Sequence, residues 1–585
     1  MRLSSILSRV FFVLLLPCIA SLAYLYGYPL FHRCGFPGSN EDTRGNVSSN
    51  FSDTPIGRLL NPQAPFRLLA FGDPQLEGDT SIPSLKNSPR IFAGDLISSD
   101  ERTRSHAWRN LKFSAQLVFE NVRKRIDLWG NDLYLTHIYR TMHRWTNPTH
   151  VTVLGDLMGS QWIGDEEFER RSRRFWKVFG RGRKVEEDVM NAGAAQHEEV
   201  LSQKEWDSRI INVVGNHDIG YAGDIDEHRV ERWEKAFGKV NWDVTFTLPT
   251  NTTVSAGDEA STPSIHLVIL NSMNLDTPAL SHPLQAQTYG FINDIITSSR
   301  DVEDRRHMTI LLTHIPLYKE AGICVDEPFF SFFSHGGLKE QNHLSAPVSK
   351  SAVLEGIFGM SGDASAAAQG RGRSGIIING HDHEGCDTFH YISTTTNDGL
   401  DDQGKGEENI WQAMRYPEAL LEGITSEASV NGIREVTLRS MMGEFGGNAA
   451  LVSAWYDQGV QEWRVEVSMC AAGVQHLWWA IHVFAFITLV LPIAALLCYL
   501  VETPDKAKAV QKKRQSQAGL KQKTPAGMSS EAQASHEQSG SVHVDGGPKG
   551  EPSSVLDAID FLDEQYDFQQ VGGIMKFTEK QGSSN

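Results

Sequence analysis

A chain of 585 residues has room for several domains of about 150 residues, or for one large α/β domain carrying insertions and tails. Charged residues at 22% and hydrophobic residues at 40%, with 51 Gly and 23 Pro, lie near the globular average and exclude wholesale disorder, collagen or a coiled-coil rod. The 54 Lys+Arg against 72 Asp+Glu leave a formal charge of -18, which phosphate backbones repel, so no nucleic-acid partner is expected; six Cys without a CxxC pair exclude a disulfide scaffold and zinc-ribbon or thioredoxin-like chemistry.

Residues 1–9 carry Arg2 and Arg9 and precede an uncharged apolar run, 10–31, long enough at the helical rise to cross about 30 Å of hydrocarbon. The expectation is a retained signal-anchor. A cleaved signal peptide is the alternative, since Ala20-Ser21-Leu22-Ala23 offers small residues, but the apolar region of such peptides is usually about 7 to 15 residues.

From residue 32 to 473 short apolar runs alternate with amphipathic stretches. Strands are expected at 66–71, 150–154, 209–214, 265–270, 307–313, 375–379, 434–439 and 449–455, and helices at 105–129, 166–179 and 283–297, which makes an α/β domain. Stretches near 185–204, 362–373 and 397–408 read as surface insertions, and the charge run Glu166 to Arg174 as a solvated helix face. Sequons stand at Asn46, Asn50 and Asn251.

A second apolar segment, 474–501, opens on Trp478 and Trp479, as an interfacial belt does, and Lys506, Lys508, Lys512, Lys513 and Arg514 follow it. Positive residues favour the cytosolic side, so 502–585 is expected there and 32–473 on the lumenal or extracellular side. The tail from Pro504 is too polar to bury a core and is expected to be disordered; apolar residues at helical spacing over 555–568 allow a short helix for a cytosolic partner, against a chance pattern.

The informative polar residues stand just after the expected strands. Strand ends read Gly72-Asp73-Pro74-Gln75, Gly155-Asp156, Gly215-Asn216-His217-Asp218, Thr313-His314 and Gly380-His381-Asp382-His383. Ligands of open α/β sheets bind outside the carboxyl ends of strands, and oxygen and imidazole donors without thiolates suit a hard or borderline divalent metal. Singly each block has a plain reading. Asp73 caps a turn before proline, Gly155-Asp156 begins a loop, and a lone His314 satisfies itself in a core. His381 and His383, alternating along an extended segment, project to one side.

In this order the blocks resemble the calcineurin-like metallophosphoesterases, over roughly residues 66 to 390. The resemblance implies a β-sandwich flanked by helices in four layers, and two divalent metal ions, with Mn favoured and Mg, Fe or Zn as alternatives. It implies that Asp73, Gln75 and His383 hold one ion, that Asn216, His314 and His381 hold the other, that Asp156 bridges both, and that His217 stands beside the substrate phosphate as the catalytic imidazole. Gln75 departs from the family's usual His and supplies a harder, weaker donor. Gly159 departs from a frequent Asp that orients the catalytic His, leaving Asp218 or Asp165 as substitutes. The blocks around Asp73, Asp132, Asp156 and His381 further resemble the membrane-anchored fungal branch that includes GPI-glycan ethanolamine-phosphate phosphodiesterases. That implies a membrane-embedded GPI-glycan substrate in the bilayer of the endoplasmic reticulum, with or without cycling to the Golgi. Another lipid or glycan head group, or an inactive membrane adaptor, are the competing readings. Cys324 and Cys386 each follow a donor block and form either a disulfide clamp or two free buried thiols.

Overall fold

Strands that are apolar on both faces demand cover on both, and this sets the layering. The computed structural model describes residues 2–521 apart from 33, 39–63, 79–81, 86–88, 90–92, 181, 195–197, 202–203, 250–261, 326, 396–407 and 427–430. The three sequons and the 555–568 segment lie outside the described residues. By its internal contacts the chain divides into residues 1–504 and residues 505–585.

One sheet has six strands, β1 (Phe66–Phe71), β2 (His150–Leu154), β3 (Arg183–Lys184), β5 (Arg209–Val213), β15 (Asn448–Asp457) and β16 (Glu462–Ala471), in the order β16-β15-β1-β2-β5-β3. The other has eight: β4 (Glu198–Val200), β6 (Trp242–Thr247), β7 (Ser264–Ile269), β8 (His307–Leu312), β11 (Gly375–Asn379), β12 (Cys386–Thr395), β13 (Glu408–Arg415) and β14 (Asn431–Thr437), ordered β13-β12-β14-β11-β8-β7-β6-β4. A small hairpin, β9 (Phe330–Phe332) and β10 (Leu338–Gln341), stands apart. Strands β1, β2 and β5 are mutually parallel, as are β7, β8, β11 and β14, so the five carboxyl ends that carry candidate donors, those of β1, β2, β5, β8 and β11, point the same way within their sheets.

Alternation along β1 shows how the sheets are covered. Leu68 and Ala70 share one buried cluster with Ile211, Ile310 and Ile376 of both sheets, whereas Leu69 and Phe71 belong to a second cluster with helical side chains. That second layer includes α2 (Glu101–Thr146), α3 (Asp165–Val178) and α4 (His282–Ser298), through residues such as Ile138, Phe175 and Ile292. Each buried Leu, Ile or Phe contributes roughly 1.5–3 kcal/mol. The expected α/β sandwich flanked by helices is the fold observed.

Two further helices, α1 (Leu3–Tyr26) and α5 (Gln475–Lys521), are long and apolar enough to cross a membrane and mark a membrane protein. They pack antiparallel, because Ser4 Oγ donates to Glu502 Oε2 at 2.6 Å while Tyr26 Oη lies 3.0 Å from His482 Nε2. His482 therefore faces the other helix. α1 begins seven residues before the expected apolar run and breaks at Gly27, ahead of a short turn over Tyr28–Phe31. α5 continues past 501 to Lys521, so residues 504–521 are helical, against the expected disorder. A formed helix extends without a new nucleus, and the Ala, Lys and Gln that follow are good helix formers.

Cys324 pairs with Cys386, while a second disulfide, Cys34–Cys470, ties the segment after α1 to β16; the sequence offered no signal for it. Cleavage at a protease site inserted after Gly38 should leave the N-terminal fragment attached on a non-reducing gel until reductant is added. Cys470→Ser should release it without reductant, and release from the parent chain without reductant would refute the link.

Candidate metal centre

Four of the seven expected donors sit in turns that ordinary side chains resist. Nine described non-glycine residues have positive φ, and four of them are candidate donors: Asp73 (49°), Gln75 (40°), Asp156 (52°) and His381 (74°). Such backbone costs of order 1–3 kcal/mol per residue and clusters at functional sites. Gly155 (φ 87°) permits a close approach: a Cβ there would sit 2.2 Å from His314 Nδ1.

The loops are tied to one another before any side chain is considered. Gln75 N donates to Asp156 O at 2.8 Å, and Gly380 N to His314 O at 3.2 Å. His217 N donates to Asp156 Oδ1 at 2.9 Å, and His381 N to Asp73 Oδ1 at 3.0 Å. Asp218, fully buried, accepts from Gly215 N at 2.8 Å and Met158 N at 2.9 Å, which pins the loop after β5 to the loop after β2.

The seven side chains converge. Asp73, Asp156 and His383 present one ligand atom each, all within 4.8 Å of one another. Gln75 Nε2 lies 3.0 Å from Asp156 Oδ2 and 3.1 Å from His383 Nε2; a half-turn of that amide presents its oxygen instead. His314 Nε2 and His381 Nδ1 each lie 3.0 Å from Asn216 Oδ1, and His314 Nε2 is 3.4 Å from Asp156 Oδ1.

Protons decide what this arrangement can do. His314 Nδ1 is 2.7 Å from Leu154 O, and His381 Nε2 is 2.8 Å from Gln341 O. A carbonyl only accepts, so each contact fixes an N–H on that ring nitrogen and leaves a lone pair on the other. Both lone pairs then point at the Asn216 side-chain amide, whose oxygen and nitrogen ends exchange by a half-turn as those of Gln75 do. Burial lowers the His314 and His383 pKa and brings His381 down to about 3, so the rings are neutral donors. Burial, with Asp156 alongside, raises the Asp73 carboxyl well above the usual range. Burial also pushes Asp156 upward, but His314, His217 and His381 outweigh it and hold its carboxyl low. Asp73 Oδ2 is buried without a hydrogen-bond partner among the described residues. Imidazole lone pairs and carboxyl oxygens crowded this closely fit cations, whose charge would also favour the ionised form of Asp73.

His217 stands at the edge of the cluster, its Nε2 3.8 Å from Asp156 Oδ2. Neither expected substitute orients its ring: Asp218 is engaged as above, and Asp165 pairs with His228 and Arg232. Asp132 and Tyr134 brace rather than line the centre. Asp132 takes both oxygens to Arg174 at 2.7 Å, and Tyr134 Oη donates to Gly473 O at 2.7 Å.

Several supporting residues escaped the sequence reading. Glu435 and Lys319 form a buried pair at 2.7 Å; Glu435 also accepts from Asn379 Nδ2 at 2.7 Å and lies 2.8 Å from His390 Nε2, anchoring the loops after β8 and β11. The run Glu166 to Arg174 is only partly the solvated face expected. Arg171 is buried, pairs with Glu167 and donates to Leu76 O at 3.0 Å, and Arg174 donates to Glu77 O at 2.5 Å, so one face of α3 holds the Gln75 loop. Isolated charges in a sequence give no sign of such burial.

Gly155→Ala should destabilise the chain by roughly 1–3 kcal/mol, through the left-handed backbone and the clash with His314, seen as a lower thermal unfolding midpoint in detergent. An unchanged midpoint would contradict the packing described.

No family model matches the chain. It is 28% identical over 545 residues to protein TED1 of Saccharomyces cerevisiae, covering 82% of this chain and 96% of that protein. It is 24% identical to an uncharacterized protein of Schizosaccharomyces pombe, over 82% of this chain and 94% of the relative. Metallophosphoesterase 1 of Danio rerio matches at 22% identity, over 45% of this chain and 60% of its own length. The chain is thus similar to TED1 over nearly the whole of that yeast protein and, over less than half of its own length, to metallophosphoesterase 1.

Proposed function

We propose that this protein is a membrane-anchored phosphodiesterase that removes an ethanolamine-phosphate branch from a GPI-anchor mannose in the endoplasmic reticulum. The observation that carries the hydrolytic reading is the set of seven donors crowded together, with the N–H of His314 and of His381 held outside it. In this reading Asp73, Gln75 and His383 hold one divalent cation, Asn216, His314 and His381 the other, and Asp156 lies between them. Bound cations, with Mn favoured, would supply a reactive water at neutral pH and neutralise phosphate oxygens during in-line displacement.

The chain's own groups do the rest. Leu154 O and Gln341 O keep His314 and His381 in the tautomers that present lone pairs inward. His217, half-exposed at the edge of the cluster, is placed to give a proton to the mannose oxygen as the phosphorus–oxygen bond breaks, while the water oxygen bonds to phosphorus from the opposite side. The antiparallel α1 and α5 support an anchor in which Ser4 and Glu502 lie at one side of the bilayer and the domain at the other. A lipid-linked substrate shares that plane. The GPI assignment rests on the resemblance of the donor blocks to the fungal branch.

Purified full-length protein in detergent should carry close to two divalent ions per chain by elemental analysis and hydrolyse a generic phosphodiester. Asp156→Asn and His381→Ala should lose both properties, and His217→Ala should lower the rate about 10²- to 10⁴-fold with metal retained. Equal hydrolysis by parent and variants would remove the enzyme reading. Gln75→His should retain metal at lower free concentration. Cells carrying Asp156→Asn should accumulate ethanolamine phosphate on GPI glycans; an unchanged glycan profile beside an active enzyme would redirect the substrate to another head group.

A further inference from the structure

Helix α2 has two halves of different character. From Tyr134 to Thr146 it is mostly buried in the domain, whereas from Glu101 to Leu133 it lies on the surface. At 100° per residue, Trp108, Val118, Phe119, Val122, Ile126 and Trp129 fall in one sector about 100° wide. These are not covered: Trp108 is 56% and Phe119 65% exposed. The opposite faces are accounted for, since Ala107, Asn121 and Leu128 turn to the protein, and Arg109, Gln116 and Arg123 form a polar edge. Such a stripe on a soluble surface calls for an occupant.

Contacts at the helix middle identify it. Gly130 lies so close to the start of α5 that a Cβ would sit 1.7 Å from the Trp479 ring, and Gln475 Nε2 donates to Asn131 Oδ1 at 3.2 Å. Seven residues on, about 10.5 Å along the axis, His137 packs on Tyr26 at the end of α1 with ring centroids 4.8 Å apart; Trp145 Nε1 donates to Tyr26 O at 2.7 Å. Neighbouring helix axes lie about 8–10 Å apart, so α2 passes across the paired ends of both apolar helices rather than beside either one. Tyr26, the last residue of α1, meets His482, two turns inside the start of α5, so the two ends lie within about 10.5 Å of each other along the axes. A helix crossing them runs along the membrane surface. Charge agrees with that place: residues 101–126 hold seven Lys or Arg against two Glu, in a chain of net charge -18. A basic helix with Trp, Phe and Val on one face is the composition of an interfacial helix.

We infer that the N-terminal half of α2 lies in the bilayer surface, its Trp108–Trp129 stripe among the lipid head groups and upper acyl chains of the leaflet that adjoins the domain. The same helix holds the candidate centre, since Lys124 Nζ pairs with Glu77 Oε2 at 2.7 Å in the loop that carries Gln75. The head-group layer would thus be the region from which a substrate enters. The membrane placement itself does not rest on hydrolysis.

The test uses the full chain in vesicles of phosphatidylcholine with phosphatidylserine, with Cys18 and Cys498 replaced by Ser and one nitroxide at a time introduced through Phe119→Cys, Val122→Cys or Gln116→Cys. Collision rates with oxygen, which concentrates in lipid, and with an aqueous nickel chelate are compared. The expected oxygen-to-nickel ratio is several-fold higher at positions 119 and 122 than at 116, and quenching by shallow lipid-borne labels follows the same order. Equal ratios at the three positions would overturn the inference. So would positions 119 and 122 shielded from both reagents, the result expected if a protein covers the stripe. Phosphodiester hydrolysis by the same samples is read separately, so failure of the membrane placement and failure of the hydrolytic reading remain distinct outcomes.

Discussion

Two backbone carbonyls, Leu154 O and Gln341 O, determine the character of the centre. By claiming one N–H each from His314 and His381 they leave the opposite ring nitrogens as lone pairs, both directed at the Asn216 side-chain amide. Burial keeps the rings neutral, so both lone pairs stay available to a cation. Buried acceptors without donors are costly, by roughly 1–3 kcal/mol per unsatisfied group, and the backbone around them is strained as well. A fold that maintains both costs at one spot is arranged for a positive charge. The rest of the architecture serves to hold the loops: two sheets set their parallel strand ends together, Asp218 and Glu435 cross-link the turns, and Arg171 and Arg174 clasp the Gln75 loop.

Much of this was legible because buried parallel strands read as apolar runs and the polar residues ending them are conspicuous. The eight expected strands all occur within a few residues of their expected limits. Of those not foreseen, β3, β4, β9 and β10 are too short to show a pattern, and β6, β12, β13 and β16 pair antiparallel, where alternation with polar residues blurs the run, as in Cys386–Thr395. The helix expected to stop at Trp129 continues to Thr146, because Gly130, which looks like a terminator, is small for another reason: it receives the Trp479 ring. Contacts between distant segments have no local signature. The same holds for the Cys34–Cys470 bridge and the Glu435–Lys319 pair.

The centre and the membrane are not independent parts of the molecule. α2 meets the ends of α1 and α5 at its middle, joins the domain core at its C-terminal end and touches the Gln75 loop through Lys124. One rigid element therefore relates the donor cluster to the bilayer. For a substrate confined to that bilayer, such a link fixes the height at which a head group meets the site and reduces the search to two dimensions.

Anomalous diffraction from crystals of the full chain grown with manganese addresses the central claim most directly. The account predicts two peaks about 3.5–4 Å apart, one among Asp73, Gln75 and His383 and the other among Asn216, His314 and His381, with Asp156 touching both. No peak in that cluster, or manganese only at surface carboxylates, would contradict it.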